Sequence, residues 1–303
     1  MKISVPGLKT VYNDIKELLI RTFKKALDDD IITQGAAIAF YTIFSIAPLF
    51  ILIVSLSSIF LSEEFITTQL QYQIAELTGD EIAENLNQFL LGISYSASGF
   101  RTTVLAIITV LFGATTVIAQ LKTTLNRIWN VEQITMNSVW HFLLSRILAI
   151  GMIILISLLL IASLLAEAAL GVISGIFIPS VNILDINFYQ IISELTTLGF
   201  AVLFFTLIFK ILPDVNARWV DILIGGLVTT LLFLLGKYLI GFYFSASGID
   251  ATYRAAGSLV IFVVWVYYNI QTILLGAVFT QVYTDMFGGK ILPYKFVTLK
   301  KRQ

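Results

Sequence analysis

The sequence has no cysteine, a single histidine and few charged residues. The absence of thiols excludes disulfides, thiolate metal sites and cysteine nucleophiles, and one imidazole, that of His141, leaves little for a metal centre or a histidine-based triad. Charged residues make up 13% of the 303 residues, against roughly 25% in an ordinary soluble domain, while hydrophobic residues make up 58%. This composition predicts a polytopic membrane protein.

Motifs of the common enzyme classes are also missing. There is no HExxH, no P-loop GxxxxGK[ST], no GxGxxG opening a βα unit, no GxSxG and no EF-hand spacing. We therefore predict that the protein is not an enzyme and holds neither a cofactor nor a metal. Its lysines and arginines form no concentrated basic surface, so nucleic acid is not a predicted partner.

The first long apolar run covers residues 36–60 and contains no charge. A helix of this length rises roughly 37 Å at 1.5 Å per residue, enough to cross a hydrocarbon core of about 30 Å. Pro48 in mid-span removes a backbone donor and frees a carbonyl, which hydrocarbon cannot satisfy, so the resulting kink should face other helices. Ser45, three residues earlier, is a local hydrogen-bond partner for that carbonyl.

Apolar runs of spanning length recur five more times. The six predicted spans cover residues 36–60, 102–121, 142–166, 191–212, 220–244 and 257–283. No polar stretch is long enough for a soluble domain, so residues 1–303 form one polytopic domain. The predicted fold is an all-α integral membrane protein with six transmembrane helices, an amphipathic cytoplasmic helix within 1–30, a helical extracytoplasmic hairpin at 62–100 and a basic cytoplasmic tail at 285–303.

Two amphipathic segments flank the first span. In residues 8–27 apolar side chains recur at helical spacing with lysines between them, so this helix either lies on the anionic inner leaflet or packs beneath the bundle. Residues 62–100 hold six acidic residues and no lysine or arginine. Their apolar pattern predicts two short helices, with Thr78 and Glu81 spaced as a capping box. This hairpin either caps the bundle or gates an opening.

Lysine and arginine are concentrated on one side of the predicted spans. Fifteen lie in the N-terminal segment, the loops after spans two and four, and the C-terminal tail, whereas the opposite side has Arg101 and Arg254. By the positive-inside rule both termini are cytoplasmic and the acidic hairpin is outside.

Lys237 is the deepest ionisable residue within the predicted spans. A charge at the centre of a spanning helix costs roughly 2.5 to 3.5 kcal/mol on insertion scales. Either its four-carbon stem carries the ammonium to the outer headgroups, or the ammonium lines a polar cavity. In that cavity it would hold an anionic headgroup or pair with Glu194 or Glu167.

The last predicted span carries more polar and aromatic side chains than lipid would tolerate on every face. Tyr268, Gln271 and Thr272 lie at helical spacing and should point inward. Hydrogen bonding between helices explains such residues, and a substrate path is the alternative explanation. The residues that we select as lining a path are Ser45, Pro48, Lys237, Tyr268 and Gln271.

Four stretches of the sequence stand out together: AAIAFYTIFSIAPLFI at 36–51, LNRIWNV at 125–131, ILPDVNARW at 211–219 and AAGSLVIFVVWVYYNIQTILLGAVFTQVY at 255–283. They resemble the YihY/BrkB family of bacterial inner-membrane proteins, whose members were once labelled ribonuclease BN. The resemblance implies six spans with both termini inside the cell, and a part in envelope lipid or lipopolysaccharide handling or in export.

The chain departs from that family pattern at two positions. Arg254 follows Tyr253 where the family usually has Tyr-Gly, and Val278 stands where the family usually has a glutamate. Because the acid is missing, a proton or ion relay that relies on it does not carry over to this chain.

These observations lead to a transporter or lipid translocase as the first hypothesis. It would shelter the polar headgroup of a lipid or lipid-linked substrate between helices while the acyl tails stay among membrane lipids. The alternative is a non-transporting envelope scaffold that binds protein partners through the outer hairpin and the inner helix. A ribonuclease is a remote third hypothesis, which requires carboxylates clustered around a divalent metal.

Overall fold

Seven helices build the described part of the protein. The computed structural model describes residues 8–57, 100–133, 138–177, 183–247, 257–289, 292–293 and 297–299. In these ranges the helices are α1 (Leu8–Asp28), α2 (Ile31–Ser57), α3 (Phe100–Ile128), α4 (Ser138–Phe177), α5 (Ile183–Ile211), α6 (Trp219–Ser247) and α7 (Gly257–Phe287). The short strands are β1 (Val131–Gln133), β2 (Val215–Asn216), β3 (Leu292–Pro293) and β4 (Val297–Leu299). The helical class predicted from the sequence is confirmed.

Four of these helices contain segments long and apolar enough to cross a membrane. The segments, in α4 to α7, are Arg146–Val172, Ile191–Ile211, Trp219–Ile240 and Phe262–Phe287. They coincide with the third to sixth predicted spans, and the chain is a membrane protein. The described apolar segment of α2 is shorter, Ile31–Phe44, so the first two spans stay predictions. The predicted hairpin at 62–100 lies outside the described residues.

Helix α4 is longer than the sequence predicts. The predicted third span ends at Ala166, but α4 continues to Phe177. Residues 168–177 are apolar or small and contain no proline, so no residue interrupts the helical hydrogen bonds. Pro179 is the first residue that opposes the helix, because a proline disfavours helical backbone at the residue before it. The next helix, α5, correspondingly begins at Ile183 rather than at residue 191.

Helix α7 is the element around which the others are arranged. It packs against α1, α2, α3 and α6, and α6 packs in turn against α5. Leu274, Ala277 and Val278 of α7 are fully buried. Helix α4 contacts α3 and α5 but leaves most of its apolar side chains exposed, as expected for a helix that faces lipid.

Two glycines and two threonines let α6 and α7 approach each other closely. Thr280 of α7 lies against Gly225 of α6, and Thr229 of α6 lies against Gly276 of α7. Each hydroxyl donates to the carbonyl of the glycine one turn earlier in its own helix, at 2.7 Å for Thr229 and 2.6 Å for Thr280. A Cβ on either glycine would overlap the facing hydroxyl. Small residues of this kind commonly form the contacts between membrane helices.

Both strand pairs lie at the end of the bundle where α3, α5 and α7 finish, which we call the strand end. β1 pairs with β4, with Val131 opposite Leu299, and β2 pairs with β3, with Val215 opposite Pro293. The C-terminal segment thus joins the connection after α3 to the connection after α5. The sequence predicts only a basic tail here, because strands of two or three residues are too short to show a period.

Candidate functional site

The five residues selected from the sequence lie on three helices. Tyr268 and Gln271 are on α7, Lys237 is on α6, and Ser45 and Pro48 are on α2. The backbone at Ser45 and Pro48 is helical, and their side chains lie outside the described residues. The other three side chains are described, and they lie near the contacts that α7 makes with α2 and α6.

Gln271 connects α7 to the beginning of α2. Its Nε2 donates to the carbonyl oxygens of Ile31 at 3.3 Å and Ile32 at 3.2 Å. Gly35 lies against the same amide, and a Cβ at that position would overlap it. The glutamine therefore fills the space that a glycine leaves on α2, and it faces inward as its helical spacing predicts.

Tyr268 connects α7 to α6 in the same way. Its hydroxyl donates to the carbonyl of Leu232 at 2.9 Å, and its ring lies against Gly236. Because Gly236 has no side chain, the Tyr268 ring can occupy the space beside its Cα. Tyr268 and Gln271 thus both donate to backbone carbonyls of neighbouring helices. This agrees with hydrogen bonding between helices, one of the two explanations that the sequence left open for the polar residues of this span.

We expect Tyr268→Phe to reduce the stability of the protein only slightly. The substitution removes the bond to Leu232 but keeps the ring on Gly236, and hydrogen bonds between membrane helices contribute on average about 0.6 kcal/mol. Thermal unfolding in detergent micelles measures the effect. Tyr267→Phe is the matched control, because no hydrogen bond of that hydroxyl is observed in the described residues. A loss of about 2 kcal/mol or more relative to the control would contradict this expectation and assign the hydroxyl a greater structural role.

Lys237 is half-buried and follows Gly236 directly, so it lies beside the contact between Tyr268 and α6. Among the described side chains it forms no ion pair, so the pairing with Glu194, one of the alternatives that the sequence left open, is not observed, and Glu194 is exposed on α5. The side chain of Glu167, the other predicted partner, is outside the described residues.

A second polar cluster, at the strand end, is absent from the sequence prediction. The Lys122 ammonium of α3 lies 2.8 Å from Asp214 Oδ1, and Asn126 Nδ2 donates to Asp214 Oδ2 at 2.8 Å. The backbone N–H of Asp214 donates in return to Asn126 Oδ1 at 2.8 Å. We call these three residues the Asp214 clamp. They join the end of α3 to the connection between α5 and α6.

The stretch LNRIWNV contains Asn126 and follows Lys122 closely, and the stretch ILPDVNARW contains Asp214. These two stretches were the sequence signal that could have indicated the clamp. Sequence distance hides the contact, because 88 residues separate Asn126 from Asp214. Lys210 stabilises the same connection: its ammonium donates to the Ala217 carbonyl at 2.7 Å and to Asn216 Oδ1 at 3.1 Å, and it lies 5.1 Å from the centre of the Trp219 ring.

Asp221, in the first turn of α6, has a buried carboxyl group. Only 4% of the residue is exposed, and its Oδ2 has no hydrogen-bond partner among the described residues. The start of a helix favours a negative charge, which lowers the cost of this burial. Gly288 adjoins the carboxylate, since a Cβ there would lie 2.5 Å from Oδ2. In the described ranges no three acidic or histidine side chains gather as a metal site would require.

Comparison with known proteins shows which sequences are similar to this chain. The family model described as "Virulence factor BrkB" matches residues 22–294. UPF0761 membrane proteins of Bordetella petrii and Actinobacillus pleuropneumoniae are each 25% identical to the chain over 84% of its length, and one of Pseudomonas aeruginosa is 24% identical over 88%. The chain covers 54%, 90% and 62% of these three relatives. No solved structure matches the chain.

Proposed function

Since the chain belongs to the Virulence factor BrkB family, we propose that it is a multi-pass protein of the bacterial inner membrane that moves a lipid or lipid-linked substrate across the bilayer. The substrate class follows from the resemblance, which implies envelope lipid or lipopolysaccharide handling or export. The protein would bind the polar headgroup between helices and leave the acyl tails in the membrane. We propose that it does so without catalysis and without a cofactor.

The observation that carries this proposal is the row of polar groups where α7 meets α2 and α6. Gln271 faces α2, Tyr268 faces α6, and Lys237 follows the glycine on which Tyr268 lies. We call these three residues the polar seam. A cation inside an apolar helix is costly unless it reaches water, headgroups or an anion. A phosphate headgroup in the seam would supply that anion.

The hydrogen bonds of the seam are of a kind that a substrate can replace. Both donors bind neutral carbonyl oxygens, and such bonds between membrane helices contribute only about 0.6 kcal/mol on average. A headgroup oxygen offers Tyr268 and Gln271 equivalent acceptors, so opening the seam around it costs little. Lys237 would select anionic headgroups over neutral ones.

In the proposed orientation the strand end is cytoplasmic. Lys122, Lys210 and Arg218 lie there, and lysine and arginine accumulate on the inner side of bacterial membranes. The Asp214 clamp and the two strand pairs would then hold the inner ends of α3, α5 and α6 together. The seam would open between helices whose inner ends remain joined.

We expect Lys237→Gln to slow the flipping of anionic lipids. The purified full chain is reconstituted into vesicles that contain fluorescent phosphatidylglycerol or fluorescent phosphatidylethanolamine, and an impermeant reductant reports the fraction that has crossed. Loss of the charge should slow phosphatidylglycerol about tenfold, since a hydrogen bond to a charged group contributes roughly 1.5 to 3 kcal/mol. Lys237→Arg is the matched control and should retain most of the rate. Wild-type rates equal to those of empty vesicles would contradict the proposal.

A non-transporting scaffold is the second candidate function. It is favoured by the same side chains, because the Tyr268 hydroxyl and Gln271 Nε2 already donate to carbonyl oxygens within the protein. In a scaffold the seam would stay closed and the outer hairpin would bind protein partners. A stable crosslink from residues 62–100 to one partner, together with the absence of flipping, would support it.

A further inference from the structure

Helix α1 has three faces with different environments. Leu18, Thr22 and Ala26, spaced four residues apart, are buried, and α1 packs against α7. A second face is apolar but uncovered: its residues are 52% to 67% exposed and are Tyr12, Ile15, Leu19, Ile20, Phe23 and Leu27. We call this set the α1 stripe. Helical spacing places the stripe beside the buried face rather than opposite it.

The third face of α1 is charged. Two of its cations are already paired one helical turn away, Arg21 with Glu17 and Lys25 with Asp29, the latter at 2.9 Å. Lys16 and Lys24 are exposed and have no ion pair among the described residues. On the helix, Lys16 lies within the stripe and Lys24 at its border with the charged face.

The position of α1 in the bundle decides what the stripe meets. Helix α2 begins at Ile31, with two residues between it and the end of α1, and its first carbonyls bind Gln271 of α7. Helix α1 packs against α7, which is long and apolar enough to cross the membrane. The stripe is exposed among the described residues, and the outer surface of a membrane protein is surrounded by lipids and their headgroups.

We propose that the α1 stripe binds the surface of the bilayer and that Lys16 and Lys24 bind its anionic headgroups. An apolar face that contains one lysine and is bordered by another fits a helix in the membrane interface, because long lysine side chains reach from such a face to the headgroups. Both alternatives that the sequence left open for this segment are then realised on different faces of one helix. The proposal rests on the membrane nature of the chain and is independent of whether lipid is moved.

Spin labelling tests the position of the stripe, since the chain has no cysteine and each label is unique. Single-cysteine variants of the full protein, Leu19→Cys and Phe23→Cys, are labelled with a nitroxide and reconstituted. The controls, Glu17→Cys and Asp28→Cys, are exposed positions on the charged face. The ratio of oxygen to nickel-chelate accessibility should be at least about fivefold higher at the stripe, as for a face buried roughly 5–10 Å into the headgroup boundary.

Two vesicle compositions test the headgroup charge. The immersion of the label at Phe23 should be greater in mixed phosphatidylcholine and phosphatidylglycerol than in phosphatidylcholine alone. Substituting Lys16→Gln or Lys24→Gln should lower the ratio of immersed to exposed label about fivefold each in the anionic vesicles. Equal immersion in both vesicles would overturn the headgroup assignment.

Two other outcomes would overturn the membrane assignment itself. Nickel accessibility at the stripe equal to that of the controls would show that the stripe faces water. Protection from both oxygen and nickel would show that a protein, such as a second copy of the chain, covers it. Neither outcome depends on the flipping assay, so failure of this proposal and failure of the transport proposal are distinguishable.

Discussion

We expect Gly276→Ala to destabilise the protein by about 1 to 3 kcal/mol, the usual cost of inserting an extra group into a well-packed interior. The new Cβ would overlap the hydroxyl of Thr229, which is fully buried and holds a 2.7 Å hydrogen bond to Gly225. Thr229 cannot move aside without giving up that bond or pushing α6 away. Gly225→Ala should have the same effect through Thr280, because the two contacts are reciprocal.

Unfolding midpoints in one detergent measure this loss. Gly199→Ala in α5 and Gly151→Ala in α4 are matched controls, since a Cβ at either position meets no atom within 4 Å. An alanine there adds helix propensity without a clash and should be neutral or slightly stabilising. If Gly276→Ala behaved like the two controls, the close approach of α6 and α7 would be wrong.

Removal of the Asp214 side chain should have a still larger effect. Asp214→Ala leaves the Lys122 ammonium and Asn126 Nδ2 without their carboxylate acceptor, and breaking a buried ion pair in this way costs about 3 to 5 kcal/mol. We expect a value near 3 kcal/mol, because the Lys122 side chain is 12% exposed and that of Asp214 22% exposed, so some water reaches the pair. The lost contact is also the one that joins α3 to the connection between α5 and α6.

A double-mutant cycle separates the ion pair from the amide contact. Lys122→Met and Asp214→Asn are made singly and together, and the coupling free energy is read from their unfolding midpoints. Asp214→Asn keeps a partner for Asn126 and should cost less than Asp214→Ala. Glu194→Ala is the control, an exposed carboxylate with no ion pair in the described ranges, and should change stability by less than about 0.5 kcal/mol. Additive effects of the two clamp substitutions would show that the pair does not couple.

The clamp and the polar seam hold the helices together by interactions of different strength. The clamp uses a charge pair with few exposed atoms, which is costly to break, whereas the seam uses neutral hydrogen bonds and glycine contacts, which are cheap to exchange. In the proposed translocation the seam is the part that opens. A variant such as Asp214→Asn should then alter stability more than the selectivity of flipping, and Lys237→Gln the reverse.

The sequence by itself determined the class of the protein. An apolar run of spanning length can be recognised without knowing which helices pack against it. Its side chains are buried in the bilayer, and its backbone hydrogen bonds form within the helix itself. The same reasoning placed α4 to α7 and the amphipathic helix α1 within a few residues, except that α4 continues past Glu167 and α5 begins at Ile183 rather than at residue 191. It also predicted that Tyr268 and Gln271 face inward, since helical spacing alone separates the faces of a helix.

Only the tertiary structure decided which groups meet. Asn126 and Asp214 are 88 residues apart, and Gln271 and Ile31 are 240 apart, so no local pattern reports either contact. The pairing of β1 with β4 likewise depends on where the C-terminal segment returns, and the choice among the partners that the sequence left open for Lys237 depends on how α5 packs against α6. The spacing of apolar and polar residues shows which face of a helix is buried. Which other helix packs against that face is determined by the tertiary structure.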